Sequence, residues 1–297
     1  MNIIQSPLFR IIVPKFIRKK IVAKVLRANV LKYYAGMSKP LADDITPVLD
    51  YLSKNPVAIF PYDFQDQYRE EDIEVFEDIR KGLRYVILYG KKLYFKKRWS
   101  KKRIRKSFNE LSKEQDPRCP HCYINDNFRV DKGDVIVDIG AAEGNFALSH
   151  IESASRVILF ESDKEWLEPL NATFEPWKDK VVIVNKFVGD VCNSKCATLD
   201  SFFQPDEKIS VLKIDVEGAE SKLFDGCKRI LQESRFLKVA VCTYHKPQDE
   251  KEFTELLTQY GFETSHSEGF MLLVTDKKIK PPYLRRGLVR AIKTGQA

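Results

Sequence analysis

From residue 134 onward, short apolar runs alternate with segments in which apolar residues recur at helical spacing. The apolar runs predict strands over 134–139, 156–161, 180–187, 209–215, 236–243, 261–265 and 269–275. The segments with helical spacing predict helices over 144–152, 163–174, 219–233 and 247–260. Such alternation is typical of an α/β fold, a mostly parallel sheet covered by helices on both faces. The last two runs leave no room for a crossover helix, so they predict a hairpin and one antiparallel strand.

The N-terminal part of the chain has a different pattern. Ile17, Ile21 and Val25 recur at every fourth position of 15–34, which predicts an amphipathic helix with a cationic polar face. Such a helix could lie on an anionic membrane surface or pack against the body of the protein, and packing is the favoured interpretation. Short β-rich runs over 73–97 predict a small antiparallel meander, and 100–115 suits a basic helix.

These changes in pattern divide the chain into four parts. We expect a basic helical region over 1–56, an extension of β-meander and basic helix over 57–127, and an α/β domain over 128–276. The remaining part, 277–297, contains the segment YLRRGLVRAIK and is expected to be a basic helix or tail.

Charge is distributed unevenly along the 297 residues. Residues 1–34, 91–106 and 277–297 hold eight, ten and seven Lys or Arg residues, and none of the 42 acidic residues. These segments carry half of the 50 basic residues, which leaves a net charge of −17 on the rest of the chain. An acidic body with basic flanks suggests that the flanks contact an anionic partner.

The six cysteines and the absence of a predicted secretory signal lead us to expect reduced thiols and a cytoplasmic protein. The pair Cys119 and Cys122 has the C-x-x-C spacing of redox and zinc motifs. It follows a basic helix and precedes a loop, so its context favours neither chemistry.

The first predicted strand ends in VIVDIGAAEGNF, a turn that suits a small zwitterion. Ala142 stands where a dinucleotide-binding turn needs a second glycine, which weakens an NAD interpretation. Asp138 could accept hydrogen bonds from an ammonium group, and Gly140 and Gly144 would let the chain turn closely around the ligand. S-adenosylmethionine (SAM) carries such an ammonium and a carboxylate. Residues Ala141 and Glu143 of the same turn are therefore also expected to contact it.

The next two strand ends support the same ligand. Glu161 follows the second strand, where a carboxylate can accept both hydroxyls of an adenosine ribose. Ser162 and Asp163 follow it, although Asp163 could equally be only a helix N-cap. Gly189 and Asp190 could bound the adenine edge or simply form a turn.

The stretch from Leu199 to Gly226, which contains LDSF and LKIDVEGAE, has several charges at the end of a buried strand. Together with DVIVDIGAAEGNFAL, it resembles the FkbM-type family of SAM-dependent methyltransferases over about 134–275. The resemblance implies a seven-stranded, Rossmann-like class I methyltransferase fold and methylation of a hydroxyl, commonly on a sugar. It assigns Asp138, Gly140 and Gly144 to the methionine side and Glu161 to the ribose. The family's signature strand contains Asp215, Glu217 and Gly218.

Chemistry at the acceptor is expected from residues near the ends of the fourth and fifth strands. His245 follows the fifth strand and could remove the acceptor proton, although it could also only bind substrate or the next helix. Asp215 is the second expected catalytic residue and is also expected to contact SAM. Glu217, Tyr244, His121 and Tyr123 are expected to contact the substrate.

A divalent metal offers another route to an activated hydroxyl. Asp190, Asp215 and Glu217 are oxygen ligands of the type that Mg²⁺ prefers. Nothing in their spacing demands an ion, so Mg²⁺ stays an alternative that is not favoured, and no residue is assigned as a metal ligand.

The sequence therefore predicts a SAM-dependent methyltransferase of a sugar or glycan hydroxyl, with peripheral contact to an anionic membrane as a further hypothesis. An RNA methyltransferase that uses the basic segments is one alternative, which the acidic body disfavours, so a nucleic-acid partner is not expected. A non-catalytic scaffold with the same fold is the other alternative.

Overall fold

The computed structural model describes residues 15–38, 42–274, 276 and 279–295. Residues 1–14 of the predicted basic N-terminal region lie outside the described residues. So do residues 277, 278, 296 and 297 of the predicted basic C-terminal part.

The described chain alternates helices and strands from residue 135 onward. Its α-helices are α1 (Lys15–Ala35), α2 (Thr46–Lys54), α3 (Lys101–Glu114), α4 (Asn145–His150), α5 (Leu167–Phe174), α6 (Leu199–Phe202), α7 (Glu220–Asp225), α8 (Lys228–Glu233) and α9 (Asp249–Gln259). Its first eight strands are β1 (Phe76–Asp78), β2 (Leu83–Leu88), β3 (Lys91–Phe95), β4 (Val135–Ile139), β5 (Arg156–Phe160), β6 (Val181–Val184), β7 (Phe187–Val188) and β8 (Cys196–Ala197). The remaining strands are β9 (Val211–Ile214), β10 (Leu237–Cys242), β11 (Glu263–His266), β12 (Met271–Leu272), β13 (Leu284–Arg285) and β14 (Leu288–Lys293).

The central sheet has seven strands in the order β11-β14-β10-β9-β4-β5-β6. Strand β14 is antiparallel to both of its neighbours, β11 and β10. The remaining neighbours in the sheet, β10 with β9, β9 with β4, β4 with β5 and β5 with β6, pair in parallel. Alternate residues of each strand enter two apolar layers, so that Val137 and Ile139 pack on one face and Ile136 on the other. The predicted mixed, mostly parallel seven-stranded fold is confirmed.

The position of the seventh strand differs from the prediction. The prediction paired 261–265 with 269–275, but β11 pairs with β14, and β12 pairs with β13 outside the central sheet. The prediction of a basic helix in YLRRGLVRAIK was also wrong, since this segment contains β13 and β14. The buried Arg290 in the middle of β14 made a core strand look like a cationic helix. The sheet therefore extends beyond residue 276, where the α/β domain was expected to end.

The extension covers one face of this sheet. Strands β1, β2 and β3 form the predicted antiparallel meander, and α3 is the predicted basic helix. Phe95 and Ile104 of these elements are buried in the same apolar cluster as Ile136 and Val157 of the sheet. The extension is therefore packed directly against the sheet, and α3 lies near the carboxyl ends of its strands.

The predicted helix at the N-terminus is present as α1. Leu26, Val30 and Tyr34 of α1 are buried against Leu52 of α2 and Leu272 of β12. Its C-terminal half thus packs on the body, while Ile17 and Val22 in its first two turns are exposed. Across the described ranges, no helix combines the length and apolarity needed to cross a membrane.

Candidate active site

A cavity of about 430 Å³ opens at the carboxyl edge of the sheet, between the turn after β4 and helix α3. One wall consists of the sheet-edge residues Gly140, Ala141, Ala142, Glu143, Asn145, Lys213 and Asp215, with Tyr123 from the loop before β4. The opposite wall consists of Trp99, Arg103, Lys106, Ser107, Glu110, Leu111, Glu114 and Gln115. The cavity thus contains much of the predicted methionine-side turn, and the extension closes it.

The two glycines of the β4 turn are needed for close packing within the protein. A Cβ atom at Gly140 would lie 1.8 Å from the carbonyl oxygen of Asp215, and one at Gly144 would lie 2.7 Å from the ring of Phe174. Both glycines also have positive φ angles, which favour glycine. The turn therefore lies tightly between β9 and α5, with its backbone facing the cavity.

Asp138 does not line the cavity. It is fully buried and pairs across the strands with Lys213, whose Nζ lies 3.0 Å from Asp138 Oδ1 and donates to the carbonyl of Gly140 at 2.8 Å. Burial opposes the charge of Lys213, but Asp138 and Asp215 raise its pKa above the usual range. The structure thus places Asp138 behind the turn, as the counter-ion of a lysine that supports it.

Glu161, which follows β5, also contacts the β4 turn. Its carboxylate accepts from the N–H of Ala142 at 2.8 Å and from the N–H of Asp163 at 2.7 Å. Each carboxylate oxygen can accept a second hydrogen bond, so these contacts are compatible with ribose binding. Ser162 follows in this turn, and its carbonyl accepts from the side chain of Asn185.

Asp163 fits the N-cap alternative. Its side chain accepts from the N–H of Glu165 at 2.9 Å and forms an ion pair with Lys96 of the meander. The hydrogen bond from Lys96 holds the pKa of Asp163 below its usual range. Neither Asp163 nor the third-strand residues Gly189 and Asp190 line the cavity.

Asp215 is the centre of the residues that the sequence predicts for the acceptor side. The hydroxyls of Tyr123 and Tyr244 donate to its two oxygens at 3.0 and 3.3 Å. His121 Nε2 lies 3.8 Å from Oδ2, and His245 Nε2 lies 3.7 Å from Oδ1. Burial opposes the ionisation of Asp215, but Lys213 and the two histidines hold its pKa below the usual range. The structure thus brings together five of the six residues that the sequence assigned to the acceptor side, and the sixth, Glu217, approaches His245 with an exposed side chain.

His245 has a second acidic partner that the sequence did not identify. Its Nδ1 lies 2.9 Å from Oε1 of Glu220, which is fully buried at the start of α7. Its Nε2 lies 3.6 Å from Glu217, whose side chain is 91% exposed. Burial would lower the pKa of His245, but Glu217, Glu220 and Asp215 together raise it to about 10. The imidazole is therefore protonated at neutral pH in this structure.

The loop that carries His121 and Tyr123 is hydrogen-bonded to a side chain of β14. The guanidinium of Arg290 donates to the carbonyls of Tyr123, at 2.8 Å, and Cys122. Cys119 and Cys122 in this loop are buried free thiols, and burial raises the pKa of both. The loop is therefore a packed support for the site, and its cysteines remain thiols at neutral pH.

Two side-chain groups in the described part of the chain have a geometry that could hold a metal ion. These are His121, Asp215 and Cys242, and Asp215, Glu220 and His245. Asp190, one of the three residues considered as Mg²⁺ ligands, is exposed and belongs to neither group. Glu217 also lies outside both groups.

Two carboxyl groups in the cavity are without an ion-pair partner among the described residues. Glu114 is the last residue of α3, and Glu143 lies in the β4 turn. Burial and the surrounding carboxylates raise the pKa of Glu114 to about 8, and burial raises that of Glu143 to about 7. Glu114 lies outside the sequence motifs, and only its place at the end of the predicted basic helix could have indicated it.

Comparison with protein families finds one match, to the methyltransferase FkbM domain over residues 93–264, more than half of the chain. A search of curated proteins finds no match.

Comparison with solved structures finds similar folds at low identity. The FkbM methyltransferase of Methylobacillus flagellatus KT is 16% identical, with a TM-score of 0.46, covering 62% of this chain and 52% of that one. The precorrin-6y C5,15-methyltransferase of Geobacter metallireducens is 13% identical, with a TM-score of 0.37, covering 57% and 84% of the two chains. A Streptococcus mutans protein, described as a methyltransferase and solved with S-adenosylhomocysteine (SAH), is 15% identical, with a TM-score of 0.39 and coverage of 55% and 90%.

This chain therefore spans about half of the length of the Methylobacillus protein. All three TM-scores are below 0.5, so the family assignment rests on the domain match alone.

Proposed function

The chain belongs to the FkbM methyltransferase family, and we propose that it transfers a methyl group from SAM to a hydroxyl group of a sugar or glycan. The observation that carries this proposal is the position of the Asp215 cluster. The cluster of Asp215, Tyr123, Tyr244, His121 and His245 adjoins a cavity lined by the β4 turn. SAM bound at that turn and a sugar hydroxyl bound at the cluster would lie next to each other.

The cavity has features that suit SAM. The backbone of Gly140 and Ala141 faces it, and the unpaired carboxyls of Glu114 and Glu143 can attract a positively charged ligand. When bound, SAM supplies a methyl group made electrophilic by its sulfonium. Glu161, already bonded to the turn, is the residue we expect to bind the ribose hydroxyls.

His245 is the proposed base for the acceptor proton. Glu220 at Nδ1 would orient the ring so that Nε2 faces Asp215 and the acceptor. Asp215, held ionised by its cationic neighbours, would stabilise the imidazolium once the proton has been taken. Because only the neutral ring can accept a proton, the rate should rise with pH toward the pKa of His245, about 10 in this structure.

Alignment of the acceptor is expected to supply the larger part of the catalysis. Holding two reactants in line can contribute about 7–11 kcal/mol to lowering a barrier. The hydroxyls of Tyr123 and Tyr244 and the ring of His121 are the polar groups available to fix an acceptor oxygen. Sugars present several similar hydroxyls, and this set of side chains would select one of them.

The direct test is methyl transfer to fractionated bacterial glycans. The protein is incubated with SAM that carries a labelled methyl group, and the labelled fraction and position are identified by mass spectrometry. Label on a carbon-bound oxygen of a sugar is the expected result. Label on RNA in a parallel incubation, or on amines only, would contradict the hydroxyl assignment.

The two alternatives make different predictions. An RNA methyltransferase would bind RNA tightly and with strong salt dependence, using the exposed cations Lys102, Arg103 and Lys106 of α3. A non-catalytic scaffold would fold well yet bind neither SAM nor SAH in calorimetry. Methyl transfer to a glycan would exclude both.

Peripheral contact with an anionic membrane is a subsidiary proposal for a cytoplasmic enzyme. The first turns of α1 expose Ile17 and Val22 together with Lys19, Lys20 and Lys24, a composition suited to an anionic lipid surface. The protein should float with vesicles that contain anionic lipid and not with neutral ones. Equal flotation, or none, would contradict this contact.

A further inference from the structure

Helix α3 ends with an acidic residue at an unfavourable place. Glu114 occupies the last turn, where the partial negative charge of the helix dipole disfavours a carboxylate. Its side chain lines the cavity and forms no ion pair with another described residue. A carboxylate with this disadvantage and no protein partner suggests a positively charged ligand.

The charges around Glu114 support such a ligand. Asp215 of the β9 end, Glu143 of the β4 turn and Glu110 of α3 all raise its pKa, and Lys213 opposes them. Arg103 and Lys106 of α3 line the same cavity and form no ion pair with Glu114 or Glu143 among the described residues. Glu110 pairs with Lys113 at 2.9 Å, and Lys213 pairs with Asp138 at 3.0 Å. Glu114 and Glu143 are therefore the carboxyls in this cavity that lack a dedicated cation.

We propose that Glu114 binds the ammonium group of the donor's amino-acid end together with Glu143, so that α3 of the extension forms part of the donor site. This inference rests on the proposed function, because it assumes SAM as the donor. The β4 turn opposite α3 is the expected methionine side, so the ammonium is the donor cation closest to this wall. The extension thus has a binding role in addition to its packing role.

Ionisation of the two carboxyls should be coupled to binding. The pKa of Glu114 is about 8 and that of Glu143 about 7, so both are partly protonated near pH 7.5. The charged groups that face Glu143 are Lys213, Asp138 and Glu161. Tyr123, Tyr244 and Cys119 also lie near Glu114, but all three stay neutral because their pKa values are raised. An ammonium between the carboxyls would lower both pKa values and release protons.

Calorimetry with two related ligands tests the proposal on the full chain. SAH has the amino-acid end of SAM but no sulfonium, and 5′-methylthioadenosine lacks both. Glu114→Gln should weaken SAH binding roughly ten-fold and leave 5′-methylthioadenosine binding within about two-fold. Glu77→Gln is the matched control, since Glu77 is a carboxylate of the same extension that pairs with Arg84 outside the cavity, and it should leave both affinities within about two-fold.

Proton release provides a second readout that needs no variant. Binding of SAH at pH 7.5, measured in two buffers of different ionisation enthalpy, should release protons, whereas 5′-methylthioadenosine should release none. If Glu114→Gln does not fold, the same measurement on Glu143→Gln decides the question, because protons that SAH still releases there come from Glu114.

The outcomes separate the two proposals. If the wild-type protein binds neither ligand, the proposed donor is wrong and this inference fails with it. If the wild-type protein binds SAH but Glu114→Gln weakens both ligands equally, or SAH releases no protons, the donor stands and the role of Glu114 is wrong.

Discussion

Nδ1 of His245 lies 2.9 Å from Oε1 of Glu220, a carboxylate with no exposed surface at the first residue of α7. The two residues follow neighbouring strands, β9 and β10, so the carboxyl edge of the sheet brings them together. Glu220 thus lies on the Nδ1 side of the ring, and Nε2 lies 3.7 Å from Oδ1 of Asp215. A histidine held in this way suits proton transfer at one chosen nitrogen.

His245→Ala should reduce methyl transfer by roughly 10²–10⁴-fold, the usual contribution of a general base. Affinity for SAH should stay within about two-fold, because His245 does not line the cavity proposed to bind the donor. Single-turnover transfer and calorimetry measure the two quantities. His266→Ala is the control, since His266 pairs with Glu250 away from the cavity; transfer that survives in His245→Ala would refute the base assignment.

Glu220→Gln should move the pH dependence of transfer. Removing this carboxylate lowers the pKa of His245 from about 10, so the rise in rate should shift down by about one pH unit or more. A pH–rate profile, or an NMR titration of the imidazole, measures the shift. Glu250→Gln, which removes the acid partner of His266, should leave the profile unchanged, and an unshifted profile in Glu220→Gln would show that Glu220 does not govern the base.

His245 should also make stability depend on pH. Its folded pKa of about 10 is above the unfolded value of about 6.5, so the protonated ring stabilises the fold fully below about pH 6.5. This contribution is lost as pH rises through about 10, and we expect a loss on the order of 2–3 kcal/mol. Urea unfolding at pH 7 and pH 10.5 should show a larger decrease for the wild type than for His245→Ala. Equal decreases would mean that the ion pair adds no stability.

Gly140→Ala should destabilise the protein by about 3 kcal/mol or more, because the new Cβ would overlap the carbonyl oxygen of Asp215. Gly90→Ala is a matched control, since both glycines have a φ of 76° but nothing lies within 4 Å of the Cβ position at Gly90. The control should cost about 1 kcal/mol from backbone strain alone. Urea unfolding measures both, and similar losses would mean that the turn is not confined by β9.

The strands and the grouping of side chains around Asp215 could be predicted from the sequence because both depend on local pattern and topology. Apolar runs bounded by turns locate β4, β5, β9 and β10. Once these strands are parallel, the residues after them must meet at one edge, which brings Asp215 and His245 together.

Other features depend on register and packing, which spacing does not reveal. Asp138 and Lys213 are direct partners across β4 and β9, so the expected ammonium ligand is occupied by a lysine. Glu220 lies at the start of its helix, where its oxygen accepts from the N–H groups of Val216 and Gly218, and only the folded chain shows that the same carboxylate also lies against His245. Glu114 reaches the cavity only because α3 packs over the sheet edge.

The insertion of β14 between β10 and β11 affects the order in which the central sheet folds. Residues 288–293 follow both of these neighbours in sequence, so β10 must remain an open, apolar sheet edge until they dock. An unpaired edge of this kind can join the same edge of another molecule. Crowded refolding would therefore favour aggregation at this stage, and docking of β14 both closes that edge and delivers Arg290 to the loop of the site.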